Sequence, residues 1–150
     1  MEKNYEINTE TLALIYIKEN ITKVIEISSS FNINNNILDI VDHSCKFFGS
    51  SYLGRIEGSK NLIGMNYKLP IIIEESREII FFPTTASKNS GCMWISLNHM
   101  EKYNKDSKNS VIKFKNNVSL KLNISFGSLE NQIHRANTLL LNLKRRKKEG

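Results

Sequence analysis

The sequence predicts a single α+β domain, built from a largely antiparallel sheet with a central helical segment and a C-terminal helix. Runs rich in β-branched residues, separated by short turns, indicate hairpins in both halves of the chain. Apolar residues recur at helical spacing in the middle and again near the end. No Pro-, Gly- or Ser-rich linker interrupts the chain, so we expect one domain over residues 1–150.

Two strands and a helix are predicted in the first third of the chain. The elements are, in order, strands at 11–18 and 21–28, a turn at 31–36 and a helix over 37–48. The two strands are rich in β-branched residues and flank a turn at Glu19-Asn20. Asn36 is a suitable N-cap for the helix, and Gly49 would end it.

Two further hairpins, a short strand and a long helix are predicted in the rest of the chain. They are strands at 69–73 and 78–82, a strand at 92–97, strands at 111–115 and 118–124, and a helix from 129 to about 147. Alternation gives the last hairpin one buried face and one lysine-bearing face around a turn at Asn116-Asn117. Ser128 is the expected cap of the final helix. Its apolar stripe, from Leu129 to Leu143, is expected to be core, with a dimer seam as the alternative.

Composition excludes several classes of protein. The 150 residues are 40% hydrophobic and 24% charged, which is ordinary for a folded domain and excludes wholesale disorder. The N-terminus is polar and acidic, so we expect no secretory signal, and no apolar run is long enough to span a bilayer. Cys45 and Cys92 are too few for a disulfide scaffold, so a reduced, cytoplasmic environment is expected.

Positive charge is concentrated in the last third of the chain. Lysine and arginine number 21 against 15 acidic residues, a net charge of +6. Residues 1–60 hold 6 basic and 8 acidic groups and 61–100 hold 3 of each, whereas 101–150 hold 12 and 4. Five consecutive cations, Lys144 to Lys148, open a basic tail at 144–150. This asymmetry indicates a polyanionic partner, either nucleic acid or an anionic membrane surface.

The segment GSSYLGR, from Gly49 to Arg55, is a candidate anion-binding loop. It leads into a second helical segment and would present backbone amides and the hydroxyls of Ser50 and Ser51 to a phosphate. Arg55 would add a planar guanidinium. The lysine that a nucleotide-hydrolysing P-loop requires is absent, and the alternative is a helix end, a cap and a solvated arginine.

No catalytic or metal site is predicted, and we expect neither a cofactor nor enzymatic activity. The histidines and cysteines have none of the usual paired spacings of a zinc site. They are His43, Cys45, Cys92, His99 and His134. Cys45 follows His43 closely, which raises the alternative of a thiol nucleophile. Its position on the apolar stripe of helix 37–48 instead favours a small buried hydrophobe.

Several ordered segments resemble the ComK family of competence transcription factors. The longest is IVDHSCKFFGSSYLGR, from Ile40 to Arg55, followed by Gly58. The others are LPII at 69–72, IFFPT at 80–84, CMWIS at 92–96 and SFGSLENQIHR at 125–135. The similarity therefore runs in order from about residue 37 to 135, and it extends more weakly into the N-terminal strands.

The resemblance implies a cytoplasmic, nucleoid-associated activator of DNA-uptake genes in low-GC Gram-positive bacteria. It implies dimers that assemble into tetramers on paired A/T-rich boxes of double-stranded DNA, approached through the minor groove, with RNA polymerase as a further partner and no membrane partner. A narrow A/T minor groove concentrates negative potential, to which an inserted arginine or lysine responds.

Residue chemistry selects ten side chains as candidates for DNA contact. Arg55 and Lys60 are expected in the groove or on phosphates, and the others mainly on phosphates. The ten are Lys46, Ser50, Ser51, Arg55, Lys60, Asn131, Arg135, Lys144, Arg145 and Arg146. The alternative function is a protein-interaction module, a short paralogue that dimerises with a full-length relative through the stripe of the last helix.

One departure from the family concerns the end of the sequence. Family members usually carry a longer C-terminal segment, which assists activation and is recognised by the adaptor of a Clp protease. This sequence stops at Gly150 after the basic tail and has no aromatic-proline motif. We therefore expect either a shortened chain or a short paralogue, without recognition by that adaptor.

Overall fold

The computed structural model describes residues 1–87 and 91–149, whose strands and helices confirm the predicted α+β class. The described strands are β1 (Thr11–Lys18), β2 (Ile21–Glu26), β3 (Ser30–Ile33), β4 (Ile71–Glu74), β5 (Ile79–Pro83), β6 (Met93–Ser96), β7 (Met100–Asp106), β8 (Asn109–Phe114) and β9 (Ser119–Leu122). The described helices are α1 (Ile37–Phe47), α2 (Tyr52–Ile63) and α3 (Phe126–Glu149). The predicted central helical segment thus consists of α1 and α2.

A six-stranded antiparallel sheet forms the middle layer, in the order β3-β2-β1-β6-β5-β4. Its strand β5 is buried throughout because both faces of the sheet are covered. Ile80 and Phe82 face the core beneath α3 and the small sheet β7-β8-β9, whereas Ile79 and Phe81 face the core beneath α1. Helix α2 lies beside the edge strand β4 and contacts both α1 and α3.

Local signals in the sequence explain α1 and the last hairpin. The Asn36 side chain accepts from the backbone N–H of Asp39 at 2.9 Å, which confirms the predicted N-cap. Gly49, just beyond the helix, has a φ of +88°, which glycine adopts without strain. The backbone N–H of Asn117 bonds to the carbonyl of Phe114 at 2.9 Å, which confirms the turn between β8 and β9.

Two strands differ from the sequence prediction. Residues 30–33 form β3, where a turn over 31–36 was predicted, because β3 pairs with β2 in the register Val24 to Phe31. Strand β7 lies outside every predicted strand, since its sequence MEKYNKD is polar. It is stabilised by pairing with β8, and Ser107 takes a φ of +54° in the turn that joins them.

Helix α3 begins earlier than predicted, and its cap is a different serine. It starts at Phe126, and the Ser125 hydroxyl accepts from the backbone N–H of Ser128 at 3.1 Å, so the prediction of Ser128 as the cap is wrong. Four residues of the predicted apolar stripe, Leu129, Ile133, Ala136 and Leu143, are buried in the core. The fifth, Leu140, is only partly buried, and Leu139, which the sequence did not assign to the stripe, is buried in its place. The stripe is therefore core rather than a dimer seam.

The basic run at the end of the chain is helical. Residues 144–149 form the last turns of α3. Gly150, the last residue of the predicted tail, lies outside the described residues. The cations are thus carried on a rigid element, at a helix C-terminus whose dipole favours positive charge.

Candidate nucleic-acid interface

The N-terminus of α2, a predicted anion site, is capped by the protein's own groups. The backbone N–H of Tyr52 donates to Asp42 Oδ1 at 2.9 Å, and that of Gly54 donates to Ser51 Oγ at 3.0 Å. The hydrogen bond from Tyr52 and the Lys46 ammonium, 3.0 Å from Asp42 Oδ2, hold the pKa of Asp42 below its ordinary value. A carboxylate therefore already lies where the loop would present its amides to a phosphate.

Arg55 is held against the turn between β4 and β5. Its Nη1 donates to Glu75 Oε1 at 3.1 Å, and only 15% of its side chain is exposed. Its Nε is buried and has no hydrogen-bond partner among the described residues. Ser50 and Arg55 line one open cavity of about 470 Å³ whose walls include Glu74 and Glu75. In this structure the arginine predicted for groove insertion is an ion-pair partner that joins α2 to the sheet.

The end of α3 is also tied to the β4–β5 turn. Lys147 Nζ lies 3.5 Å from Glu78 Oε2 and donates to the carbonyls of Glu75 and Ser76 at 3.4 and 3.3 Å. Lys144 Nζ lies 4.0 Å from Glu78 Oε1. These contacts fix the helix end, and they leave the other cations of the run facing solvent.

Arg145, Arg146 and Lys148 are exposed and form no ion pair within residues 1–87 and 91–149. Because a free guanidinium keeps its donors in a rigid fork, Arg145 and Arg146 are suited to phosphate oxygens. Of the predicted residues in the last turns of α3, these two are the most available to an external polyanion.

Two further predicted residues, Lys60 and Arg135, meet the loop between α2 and β4 at Tyr67, and a third lies one helical turn away on α3. Lys60 lines a cleft of about 290 Å³ together with Tyr67 and Lys68, and none of the residues that line it is a carboxylate. Arg135, on α3, donates from Nη1 to the carbonyl of Tyr67 at 2.8 Å. Asn131 lies one turn earlier on α3 and is exposed. The cleft beside this loop therefore holds two cations, Lys60 and Lys68, with no carboxylate among its described lining residues.

The ten predicted residues therefore fall into three groups rather than one site. The groups are Lys46, Ser50, Ser51 and Arg55 at the α1–α2 corner, Lys60, Asn131 and Arg135 at the α2–β4 loop, and Lys144, Arg145 and Arg146 at the end of α3. Arg135 and Arg145 are ten residues apart on one helix, so about 15 Å of axial rise separates them.

Sequence reasoning missed two lysines that the structure places beside the third group. Lys102 of β7 and Lys115, just after β8, line a cleft of about 390 Å³ that also contains Lys144. Glu78 and Glu101 lie in the same cleft. The charge count over residues 101–150 contained this signal, since half of its cations precede α3.

Comparison with known proteins identifies the family. The family described as ComK protein matches residues 2–148. The chain belongs to the ComK family. A relative from Bacillus subtilis (strain 168), described as a competence transcription factor, is 37% identical over 139 residues, which cover 89% of this chain and 71% of that protein. No solved structure gives a significant match. The resemblance found from about residue 37 to 135 is confirmed and reaches nearly both ends.

In this ComK family member the alternative of a thiol nucleophile lacks a geometric basis. Burial raises the pKa of Cys45 to about 12. The His43 ring is directed elsewhere, with Nε2 2.6 Å from Glu6 Oε2. Within residues 1–87 and 91–149 no three His, Cys, Asp or Glu side chains are placed to hold a metal ion, and no helix is long and apolar enough to cross a membrane.

Proposed function

We propose that this ComK family member regulates transcription of competence genes by binding A/T-rich double-stranded DNA as an activator. The observation that carries the proposal is the 37% identity over 139 residues to a relative described as a competence transcription factor. The net charge of +6 supports a polyanionic partner. The chain would do this as one domain in the cytoplasm at the nucleoid, without enzymatic activity, and RNA polymerase is its proposed second partner.

The exposed cations are proposed to bind phosphates. Arg145 and Arg146 would make these contacts from the end of α3, and Lys60 from the last turn of α2, because their charges are not neutralised by ion pairs within the described residues. Lys144 would also contact phosphate, because its ion pair with Glu78 is long, with 4.0 Å between Nζ and Oε1. For Arg55 to enter a groove, its ion pair with Glu75 would have to open.

Oligomer formation on DNA requires a surface other than the α3 stripe, which is buried. Large apolar side chains that remain exposed include Phe47 at 63%, Leu53 at 72% and Leu141 at 62%. Pairing of two copies would match the paired A/T-rich boxes, since a two-fold protein reads two related half-sites. The interaction-module alternative relied on the same stripe of α3 for dimerisation, so the burial of the stripe leaves that alternative without its proposed contact surface.

Fluorescence anisotropy with an A/T-rich duplex carrying paired boxes, against a G·C-rich duplex of equal length, tests this function. We expect a preference for the A/T-rich duplex that persists as salt rises, because shape readout adds to phosphate contacts. Equal affinities that fall together with salt would contradict sequence preference and leave only a generic basic surface.

A variant pair tests the proposed phosphate contacts. Arg145→Gln with Arg146→Gln should lower the slope of log affinity against log salt by about 1.8, since each phosphate contact contributes about 0.9. Lys18→Gln with Lys23→Gln, on β1 and β2, removes the same charge far from α3 in sequence and should leave the slope unchanged. Equal losses in both variants would contradict a local role for the end of α3.

A further inference from the structure

The outer face of the small sheet β7-β8-β9 carries a row of lysines outside the ten predicted residues. Lys102 of β7 lies directly opposite Lys113 of β8. Lys121 of β9 lies opposite Val111, the neighbour of Lys113 on the same face of β8. Because adjacent strands are about 4.8 Å apart, the three lysines span about 10 Å across the sheet.

The opposite face of this sheet is anchored in the core, so the lysine face is held in a fixed orientation. Ile112, Phe114 and Leu122 are buried in the same cluster as Leu129 and Ile133 of α3. Residues alternate between the two faces of a strand, so Lys113 and Lys121 are directed away from α3. The face is therefore rigid and faces solvent.

The charges on this face are poorly neutralised. Like charges directly opposite each other destabilise a sheet, so the pairing of Lys102 with Lys113 is unfavourable for folding alone. Glu101 partly offsets it, with Oε2 3.5 Å from Lys113 Nζ. Asp106 is the other carboxylate on β7 and lies at its far end, opposite Asn109. Three lysines against these two carboxylates leave the face positive.

The remaining side chains favour DNA over a membrane surface. The face carries Asn104 and Ser119, which can hydrogen-bond to phosphate or sugar oxygens. Its apolar member is Val111, and it bears none of the large aromatic or aliphatic groups that insert into a bilayer surface. Lys102 also lines the cleft that leads to Lys144 at the end of α3, where three cations (with Lys115) face two carboxylates, Glu78 and Glu101, so the cleft keeps a net positive charge.

We propose that Lys102, Lys113 and Lys121 bind the phosphate backbone of double-stranded DNA, so that the outer face of the small sheet is a second DNA-contacting surface. This inference rests on the proposed function and adds a surface to it. The flexible lysine stems can follow a backbone that carries one negative charge per about 1.7 Å of duplex axis. Strands are known to present such contacts in β-sheet DNA readers.

The test compares two triple variants of the full chain in the anisotropy assay across a salt series. Lys102→Gln, Lys113→Gln and Lys121→Gln should lower the salt slope by about 2.7, because three phosphate contacts at about 0.9 each are removed. Lys3→Gln, Lys18→Gln and Lys23→Gln change the net charge equally on the N-terminal segment and β1–β2, and should leave the slope as in wild type. Circular dichroism establishes that both variants are folded.

Lysine acetylation of the wild-type protein, with and without duplex, gives an independent readout that needs no variant. Protection of Lys102, Lys113 and Lys121 by DNA, with Lys18 unprotected, would support the surface. The proposed surface would be overturned if DNA did not protect these three lysines, or if the variant lacking them had the same salt slope as the control variant. Either result would leave the proposed function intact. Absence of wild-type binding to any duplex would overturn both. Binding without A/T preference but with the sheet-specific loss would support the surface and contradict only sequence preference.

Discussion

Replacing Arg55 with glutamine is expected to destabilise the fold, independently of any effect on DNA binding. Arg55 is on α2 and its Nη1 lies 3.1 Å from Glu75 Oε1 on the β4–β5 turn, twenty residues away in sequence. With 15% of its side chain exposed, the arginine is largely removed from water, whereas Glu75 is 48% exposed. The bond therefore joins the edge helix to the sheet in a partly desolvated setting.

The exposures of the two partners set the magnitude. A hydrogen bond to a charged group stabilises by about 1.5–3 kcal/mol when buried, and an exposed ion pair by about 0–1 kcal/mol. Because water reaches Glu75, we expect Arg55→Gln to lower the free energy of unfolding by about 1–2 kcal/mol. A double-mutant cycle with Glu75→Gln should give a coupling of about 0.5–1 kcal/mol.

Urea unfolding followed by tryptophan fluorescence measures this change. Trp94 is the single tryptophan, is fully buried, and lies edge-to-face against Tyr52 of α2 with ring centroids 6.3 Å apart. Arg145→Gln, which is exposed, should change stability by less than about 0.5 kcal/mol and serves as the control. Unchanged stability of Arg55→Gln, together with DNA binding weakened by about 1–3 kcal/mol, would refute the structural role and restore Arg55 as a groove contact.

Two further predictions concern the thiols and acid stability. Cys45 and Cys92 are buried, and burial raises the pKa of both thiols. At pH 7.5 we therefore expect an alkylating reagent to label them only as fast as the fold opens and exposes them to solvent. Rapid labelling of the folded protein would instead show a reactive thiol. The pKa of Asp42 is lowered by the bond from Tyr52 N–H and by Lys46. Its stabilising contribution is therefore complete above the unfolded-state pKa of about 3.9 and is lost as pH falls through the folded-state pKa. Asp42→Asn should therefore lower the free energy of unfolding at pH 7 and reduce the loss of stability that wild type shows below about pH 4. If the variant lost stability with acid in parallel with wild type, this role of Asp42 would be contradicted.

Sequence-local interactions explain the elements that were predicted correctly. The cap of α1 needs only Asn36 and a backbone N–H three residues later, and the β8–β9 turn is equally local. The apolar stripe of α3 predicts its buried face because helical periodicity brings residues three and four apart together. The family relationship was also evident from the sequence, since ordered blocks of residues carry it.

Strands without a local signal could not be predicted in the same way. Strand β7 is polar and β3 lies in an asparagine-rich stretch, so neither shows the composition of a strand. Both are stabilised by ladders to neighbouring strands, β8 and β2. The hydrogen bonds to these neighbours stabilise segments whose residues have little intrinsic preference for strand, and the neighbours are in place only once the sheet has assembled.

The sequence by itself determined the family, the α+β class and the excess of positive charge in the last third of the chain. Only the tertiary structure decided which cations remain available to a polyanion. Arg55 meets Glu75 and Lys147 meets Glu78 from distant positions in the chain, whereas Arg145 and Arg146 stay exposed beside them. The reason is that a charge is neutralised by what lies within a few ångströms of it and by its exposure to water, and both are set by packing between distant segments.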